Sequence, residues 1–472
     1  MKKYLFLLLV ISVFSCQEKP PNVVFILVDD LGWADLGYAG STFYETPHID
    51  ALSQKSVRFT NAYASGSVCS PSRAAIMTGK HPVRLNITDW IPGQNPPNQK
   101  LIGPQDLDEL PLKENTLAEM LKQNGYTTFF AGKWHLGDEG YFPENQGFET
   151  NKGGHDRGSP PGGYYTPYKN PKLKDGPEGE YLTDRLTDES IQFLEEAGEN
   201  PFLLFLSFYT VHTPIQAHKA SVSYFNKKLD NLTIPDSTQK EEGRGVTRLV
   251  QSNAEYASMV YAMDKNVGRL IEALKQQELY ENTLLIFTSD NGGLSTLLKN
   301  RNLAPTSVLP LRGGKGWLYE GGIRVPLLIK PPNYPTKGKV VDEPVIGHDF
   351  LPTILSYVGI EQTEDLDGKN LQPLIENGKD LDRTSIFWHY PHYHGSGWTP
   401  GAAIRQGDWK LIEFYETDKV ELYNLADDLL EKNDLSERFP EKVKTLRKLL
   451  QEQQAAMDAK QPLINPDYVS KD

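Results

Sequence analysis

Residues Asn22 to Val28 (NVVFILV) form an unbroken apolar run of strand length that stops abruptly at Asp29-Asp30. A run without polar alternation is what a parallel strand needs when helices cover both of its faces. Three more segments repeat the pattern. Thr127 to Ala131 runs into Gly132-Lys133-Trp134-His135, Pro201 to Val211 into His212-Thr213-Pro214, and Leu284 to Ser289 into Asp290-Asn291-Gly292-Gly293. Each predicted strand therefore delivers charged or polar groups at its carboxyl end.

Helical patterns lie between these strands. Thr116 to Asn124 opens with a Thr-x-x-Glu capping box (Thr116, Glu119) and stops at Gly125, while Tyr256, Met259, Val260, Met263, Val267, Leu270, Ile271 and Leu274 make one apolar helix face. Alternating strands and helices predict an α/β fold, a large doubly wound and mostly parallel sheet flanked by helices. In that architecture ligands gather beyond the carboxyl ends of the strands, where all four polar clusters fall.

After about residue 375 the period shortens. Ser385 to Tyr390, Gly401 to Arg405, Trp409 to Phe414 and Glu421 to Leu425 read as short strands, and an amphipathic segment from Phe439 to Met457 comes after them. The predicted organisation is a signal peptide over residues 1–15, a catalytic domain over 16–375, and a small α+β domain over 376–472 built on an antiparallel sheet and a helix. Asp365 to Leu374 is the expected linker. His218 to Gln251 is polar and aperiodic, and is expected to be an irregular insertion.

Composition narrows the function. The 472 residues are 38% hydrophobic, and no interior run reaches the ~18 apolar residues of a membrane span, so a polytopic membrane protein is excluded. With 49 basic and 62 acidic residues the net charge is 49 − 62 = −13, which argues against nucleic acid as a partner. Lys2 and Lys3, then apolar Tyr4 to Val13 and small Ser15, form a signal peptide, and Cys16 stands where a lipid anchor would attach; export to the periplasm or outer membrane is expected. An anchor on Cys16 is the only membrane contact expected. Its use leaves Cys69 as the lone thiol.

Cys69-Ser70-Pro71-Ser72-Arg73 reads as a helix start, with Pro71 in the first turn and Cys69 at the positive helix end, where backbone N–H groups favour an anion. This motif, with Asp29-Asp30, Gly132-Lys133-Trp134-His135, His212-Thr213-Pro214, Asp290-Asn291-Gly292-Gly293, Arg312-Gly313-Gly314-Lys315-Gly316 and Glu320-Gly321-Gly322 in that order, resembles the type I formylglycine-dependent sulfatases of the alkaline-phosphatase superfamily, and in particular bacterial polysaccharide sulfatases. The glycines around Lys315 do not make a P-loop, because Gly316 stands where Ser or Thr is required.

The resemblance implies that a maturation enzyme converts Cys69 to formylglycine, whose hydrate attacks the sulfur of a sulfate ester and later expels sulfate. It implies a divalent cation held by Asp29, Asp30, Asp290, Asn291 and the modified Cys69. Such oxygen ligands suit Ca²⁺ better than Mg²⁺. It further implies that Arg73 and Lys133 hold the modified residue and the sulfate, that His135 takes a proton from the diol, and that His212, with Lys315, protonates the departing alcohol. The expected substrate is a sulfated carbohydrate of an algal or host polysaccharide. Within the tract Phe387 to His394 and the nearby Trp398, the residues His392, His394 and Trp398 are expected to bind the sugar. Two other readings remain open at this level: a phosphatase or phosphodiesterase of the same superfamily, and a non-catalytic sulfated-glycan binder in which Cys69 stays a thiol.

Overall fold

The computed structural model describes residues 19–333 and 338–470, so the signal peptide and Cys16 lie outside the described residues. The sheet core is built by β1 (Asn22–Val28), β2 (Val57–Phe59), β3 (Thr127–Gly132), β4 (Thr150–Lys152), β5 (Phe202–Ser207), β6 (Thr283–Ser289), β7 (Leu327–Lys330) and β8 (Val340–Val341), in spatial order β8-β2-β7-β6-β1-β5-β3-β4. The five strands from β6 to β4 run parallel, whereas β7 lies antiparallel to both β6 and β2. The sheet is therefore mixed on one side and parallel where the predicted polar clusters emerge.

Every residue of β1 is buried, and its side chains alternate between two cores. Val24, Ile26 and Val28 pack under α3 (Leu182–Glu196), α4 (Val222–Asp230) and α5 (Ala254–Gln276), whereas Val23, Phe25 and Leu27 face α1 (Cys69–Thr78), α2 (Leu117–Gln123) and α6 (Phe350–Tyr357). Two-sided burial is why the run carries no polar residue until it ends. The Thr116 capping box forms as the sequence predicts.

Two expectations are corrected. The third predicted strand stops at Ser207, four residues early. Beyond it the backbone bonds irregularly: Asp29 N–H donates to the Thr210 carbonyl and Val211 N–H to the Asp29 carbonyl, so the chain turns toward the site. The stretch 218–251 is not irregular, for it contains α4 and a hairpin of Gln239–Glu242 with Gly245–Arg248. Phe225 of α4 inserts into the main core, and the hairpin pairs with Thr296–Leu298, so both pieces gain order from partners distant in sequence.

The C-terminal strands β9 (Ile386–Tyr390), β10 (Gly401–Gln406), β11 (Trp409–Phe414) and β12 (Lys419–Asn424) form an antiparallel meander covered by α7 (Pro440–Ala456). Fully buried Lys410 of β11 joins this sheet to the larger unit through an ion pair of 2.8 Å with Glu320, and within the C-terminal unit it pairs with Glu431, also at 2.8 Å. No helix among the described residues is long and apolar enough to cross a membrane.

Candidate active site

The parallel registers align the strand ends. Val28 of β1 sits beside Ser289 of β6, and Ser207 of β5 beside both Leu27 and Gly132 of β3. The loops leaving these strands are thereby brought to one edge. Gly132 is required there: at φ +108°, a Cβ would lie 1.7 Å from the Ser207 carbonyl oxygen. The close approach lets Lys133 N–H donate to that carbonyl at 2.8 Å and aims the Lys133 side chain inward.

Cys69 occupies the first turn of α1, and its Sγ lies 3.3 Å from Nδ1 of His135. His135 Nε2 meets the Ile91 carbonyl, which can only accept, so that nitrogen carries the proton and Nδ1 presents a lone pair to position 69. Burial, reinforced by Lys133 and Arg73, keeps the imidazole neutral well below its usual range. Ser70, one residue on, donates to the His135 carbonyl and accepts from Ile91 N–H, each at 3.0 Å, so one hydroxyl ties helix, histidine and loop together. Asp30 and His135 both sit at φ near +60°, a conformation held by these surroundings.

Arg73, one helical turn after Cys69, donates to Asp290 at 2.9 Å, to the Lys133 carbonyl at 2.8 Å and to Ser207 at 2.7 Å. Lys133 Nζ pairs with Asp29 Oδ2 and Lys315 Nζ with Asp30 Oδ1, both at 2.7 Å. Three acid side chains therefore face three cationic ones, and all six are buried. Burial raises Asp29 well above the carboxylate range, whereas at Asp30 and Asp290 burial is outweighed by the adjacent Lys315 and Arg73 and their carboxyls fall below it. Burial of Lys315 is likewise overcome, chiefly by Asp30, so it holds its proton firmly.

Within this cluster Asp29 Oδ1, Asp30 Oδ2 and Asn291 Oδ1 are buried without a hydrogen-bond partner among the described residues. Orphaned buried oxygens are costly and mark a place for a positive ligand. One ligand atom each from Asp29, Asp30 and His212 lies within 4.8 Å of the others, and the two carboxylate oxygens among them fit a hard divalent cation. Both Asp290 oxygens already accept, from Asp30 N–H and from Arg73, and Asn291 donates to Asp30 at 2.8 Å.

His212 donates from Nδ1 to the Thr213 carbonyl at 2.7 Å and turns Nε2 toward Asp30 at 3.8 Å. Burial and the nearby Lys315 push its pKa down to about 3, so it is neutral before substrate arrives. Cys69, His135, His212 and Lys315 all open on one cleft of about 690 Å³, which His394 also lines.

Two sugar-binding expectations are corrected. Trp398 is 1% exposed and packs against Trp317, Tyr319 and Phe414 inside the junction of the two sheets. His392 is buried with Nε2 at 2.9 Å from the Thr88 hydroxyl and does not line the cleft. Only His394 of that group reaches it. Sequence reasoning missed Ser70, Ile91, Ser207 and the cleft residues Trp90, Asp108, Glu109, Asp138, Asp156 and Arg157. Ser70 alone carried a signal, its place inside the cysteine motif.

Comparison with known proteins agrees with this geometry. A family model described as Sulfatase matches residues 21–360, and one described as N-sulphoglucosamine sulphohydrolase, C-terminal, matches residues 314–460. Human arylsulfatase A is 32% identical over 86% of this chain and 78% of its own. An ulvan-active sulfatase of Formosa agariphila is 29% identical over 97% of this chain and 84% of its own. A crystal structure of Ps i-CgsB in complex with k-i-k-neocarrahexaose is 30% identical, covers 94% of each chain and superposes with a TM-score of 0.75. The chain thus belongs to the sulfatase family, the formylglycine-type enzymes of the alkaline-phosphatase superfamily, and is a sulfuric ester hydrolase.

Proposed function

We propose that the protein releases inorganic sulfate from a sulfated glycan, of algal or host origin, at a formylglycine formed from Cys69 beside a bound Ca²⁺. The observation that carries this reading is the set of partnerless buried oxygens on Asp29, Asp30 and Asn291, adjoining the cleft into which Cys69 opens. Ca²⁺ is favoured over Mg²⁺ because several protein oxygens converge, whereas Mg²⁺ retains most of its waters. When bound, the cation would add positive charge beside position 69 and so help attract a sulfate. Formylglycine supplies a hydroxyl nucleophile in its hydrated form.

The chain's own residues do the rest. Arg73 fixes Asp290 and holds the backbone at Lys133, so the ligand side and the cysteine helix share one rigid anchor. His135, with its free Nδ1 toward position 69, is placed to accept a proton there. Lys315 keeps its ammonium beside the acid cluster, and His212 gains a proton on Nε2 only when the negative sulfate offsets Lys315, which ties protonation of the leaving alcohol to substrate binding. Support for a glycan comes from the relatives: one is named ulvan-active, and the Ps i-CgsB crystal holds a neocarrahexaose. Export with lipidation at Cys16 completes the reading, since such polymers lie outside the cell.

The test is sulfate release from a panel of sulfated oligosaccharides by protein co-produced with a formylglycine-generating enzyme, alongside elemental analysis of bound metal. Stoichiometric calcium and sulfate release are expected. Release of phosphate but not sulfate from matched esters would overturn the assignment.

A further inference from the structure

The cleft is acidic at its rim, although its proposed substrate is an anion. Of the charged residues lining it, Lys315 is paired with Asp30, and Arg157 is paired with Asp156 at 3.3 Å. Asp108, Glu109 and Asp138 have no ion pair and no side-chain hydrogen bond among the described residues.

These carboxylates are set firmly in place. Leu110 N–H donates to the Leu136 carbonyl at 3.0 Å, and both leucines are fully buried, so the segments 108–110 and 136–138 are clamped together. Gly137 lies against Glu109, where a Cβ would come within 2.8 Å of Glu109 Cβ. His135, which faces the nucleophile position, is two to three residues from Gly137 and Asp138 on the same clamped segment. The rim acids therefore line the same cleft as Cys69 and His135, so a sugar whose sulfate reaches position 69 shares that cleft with them. A carboxylate is an acceptor only, complementary to sugar hydroxyls or to an amine and repelled by a second sulfate or a uronate. The Trp90-Ile91-Pro92 wall of the same cleft offers an apolar surface to a sugar ring.

We propose that Asp108, Glu109 and Asp138 are specificity-determining residues that restrict the enzyme to sugars whose only anionic group near the scissile position is the sulfate being removed. The inference rests on the sulfatase reading above. Matured enzyme is assayed on a monosulfated neutral monosaccharide and on the same sugar carrying a second sulfate, at low and at high salt. The wild type favours the monosulfated sugar in kcat/KM by roughly tenfold or more, and added salt narrows the gap by screening. The variant D108N/E109Q/D138N loses most of that preference and its salt dependence, a change that a merely structural role would not produce. Equal kcat/KM on both sugars in the wild type, or an unaltered ratio in the variant, overturns the proposal while leaving the sulfatase reading intact. Absence of sulfate release from every sugar overturns both.

Discussion

Replacing Lys410 with Met tests how the two units share one functional frame. Lys410 Nζ lies 2.8 Å from both Glu320 and Glu431, and all three side chains are fully buried. Glu320 has a second cation, Arg324 at 2.7 Å, and its carboxyl falls below the usual range because Lys410 and Arg324 outweigh burial. Glu431 has Lys410 as its one ion-pair partner among the described residues and accepts from Glu320 N–H at 2.7 Å, and burial pushes its carboxyl up to about 7. Removing one partner of a buried ion pair costs about 3–5 kcal/mol. A chain of this length loses roughly 1 kcal/mol per degree near its midpoint, so K410M should melt about 3–5 °C lower by calorimetry.

The loss also reaches the cleft. Glu320 begins the turn whose Gly322 carbonyl accepts from Gly292, next to Asn291, while Lys315 N–H donates to Gly293. Activity should therefore fall with stability. E431Q should cost much less, because it removes a carboxyl already partly protonated near neutrality. A carboxyl raised in the folded state adds stability below its unfolded value near 4.5 that is lost as pH rises through about 7; E431Q should abolish that decline between about pH 4.5 and 7. A K410M melting temperature within 1 °C of wild type would refute the reasoning.

Three substitutions probe the site and its wall. H135N should lower kcat by roughly 10²–10⁴ with little change in KM, measured by initial rates; a loss below tenfold would remove His135 from proton transfer. G158A would place a Cβ 2.4 Å from the His135 ring, which is held by the Ile91 carbonyl and cannot retreat, so kcat should drop roughly 10²-fold while the melting temperature moves little. W398A should cost about 3–5 kcal/mol of stability and leave KM for sulfated sugars unchanged; a KM effect without destabilisation would restore Trp398 to the substrate.

The strands that end in Asp29, His135 and Asp290 were legible because two-sided burial forces a continuous apolar run, and the run's end is the functional edge. Cys69 and Arg73 were legible from the Cys-Ser-Pro-Ser-Arg motif and the family it resembles. Trp398 and His392 were misread because an aromatic strand end looks the same whether it faces sugar or a second sheet; only the packing of Trp317, Tyr319 and Phe414 decides it. The rim acids Asp108, Glu109 and Asp138 lie in aperiodic loops, and their convergence depends on the Leu110 to Leu136 backbone bond, which no local pattern announces. The same holds for Ile91, whose contribution is a carbonyl and carries no side-chain signature.

Catalysis here depends on the chemical state of one side chain, that of residue 69. Mass spectrometry of the peptide spanning Cys69, taken from a preparation titrated for active sites, measures it directly. The fraction of that peptide carrying an aldehyde in place of the thiol should equal the fraction of active enzyme, and rise with it when the maturation enzyme is supplied. Full sulfate-releasing activity from protein whose Cys69 is entirely thiol would contradict it.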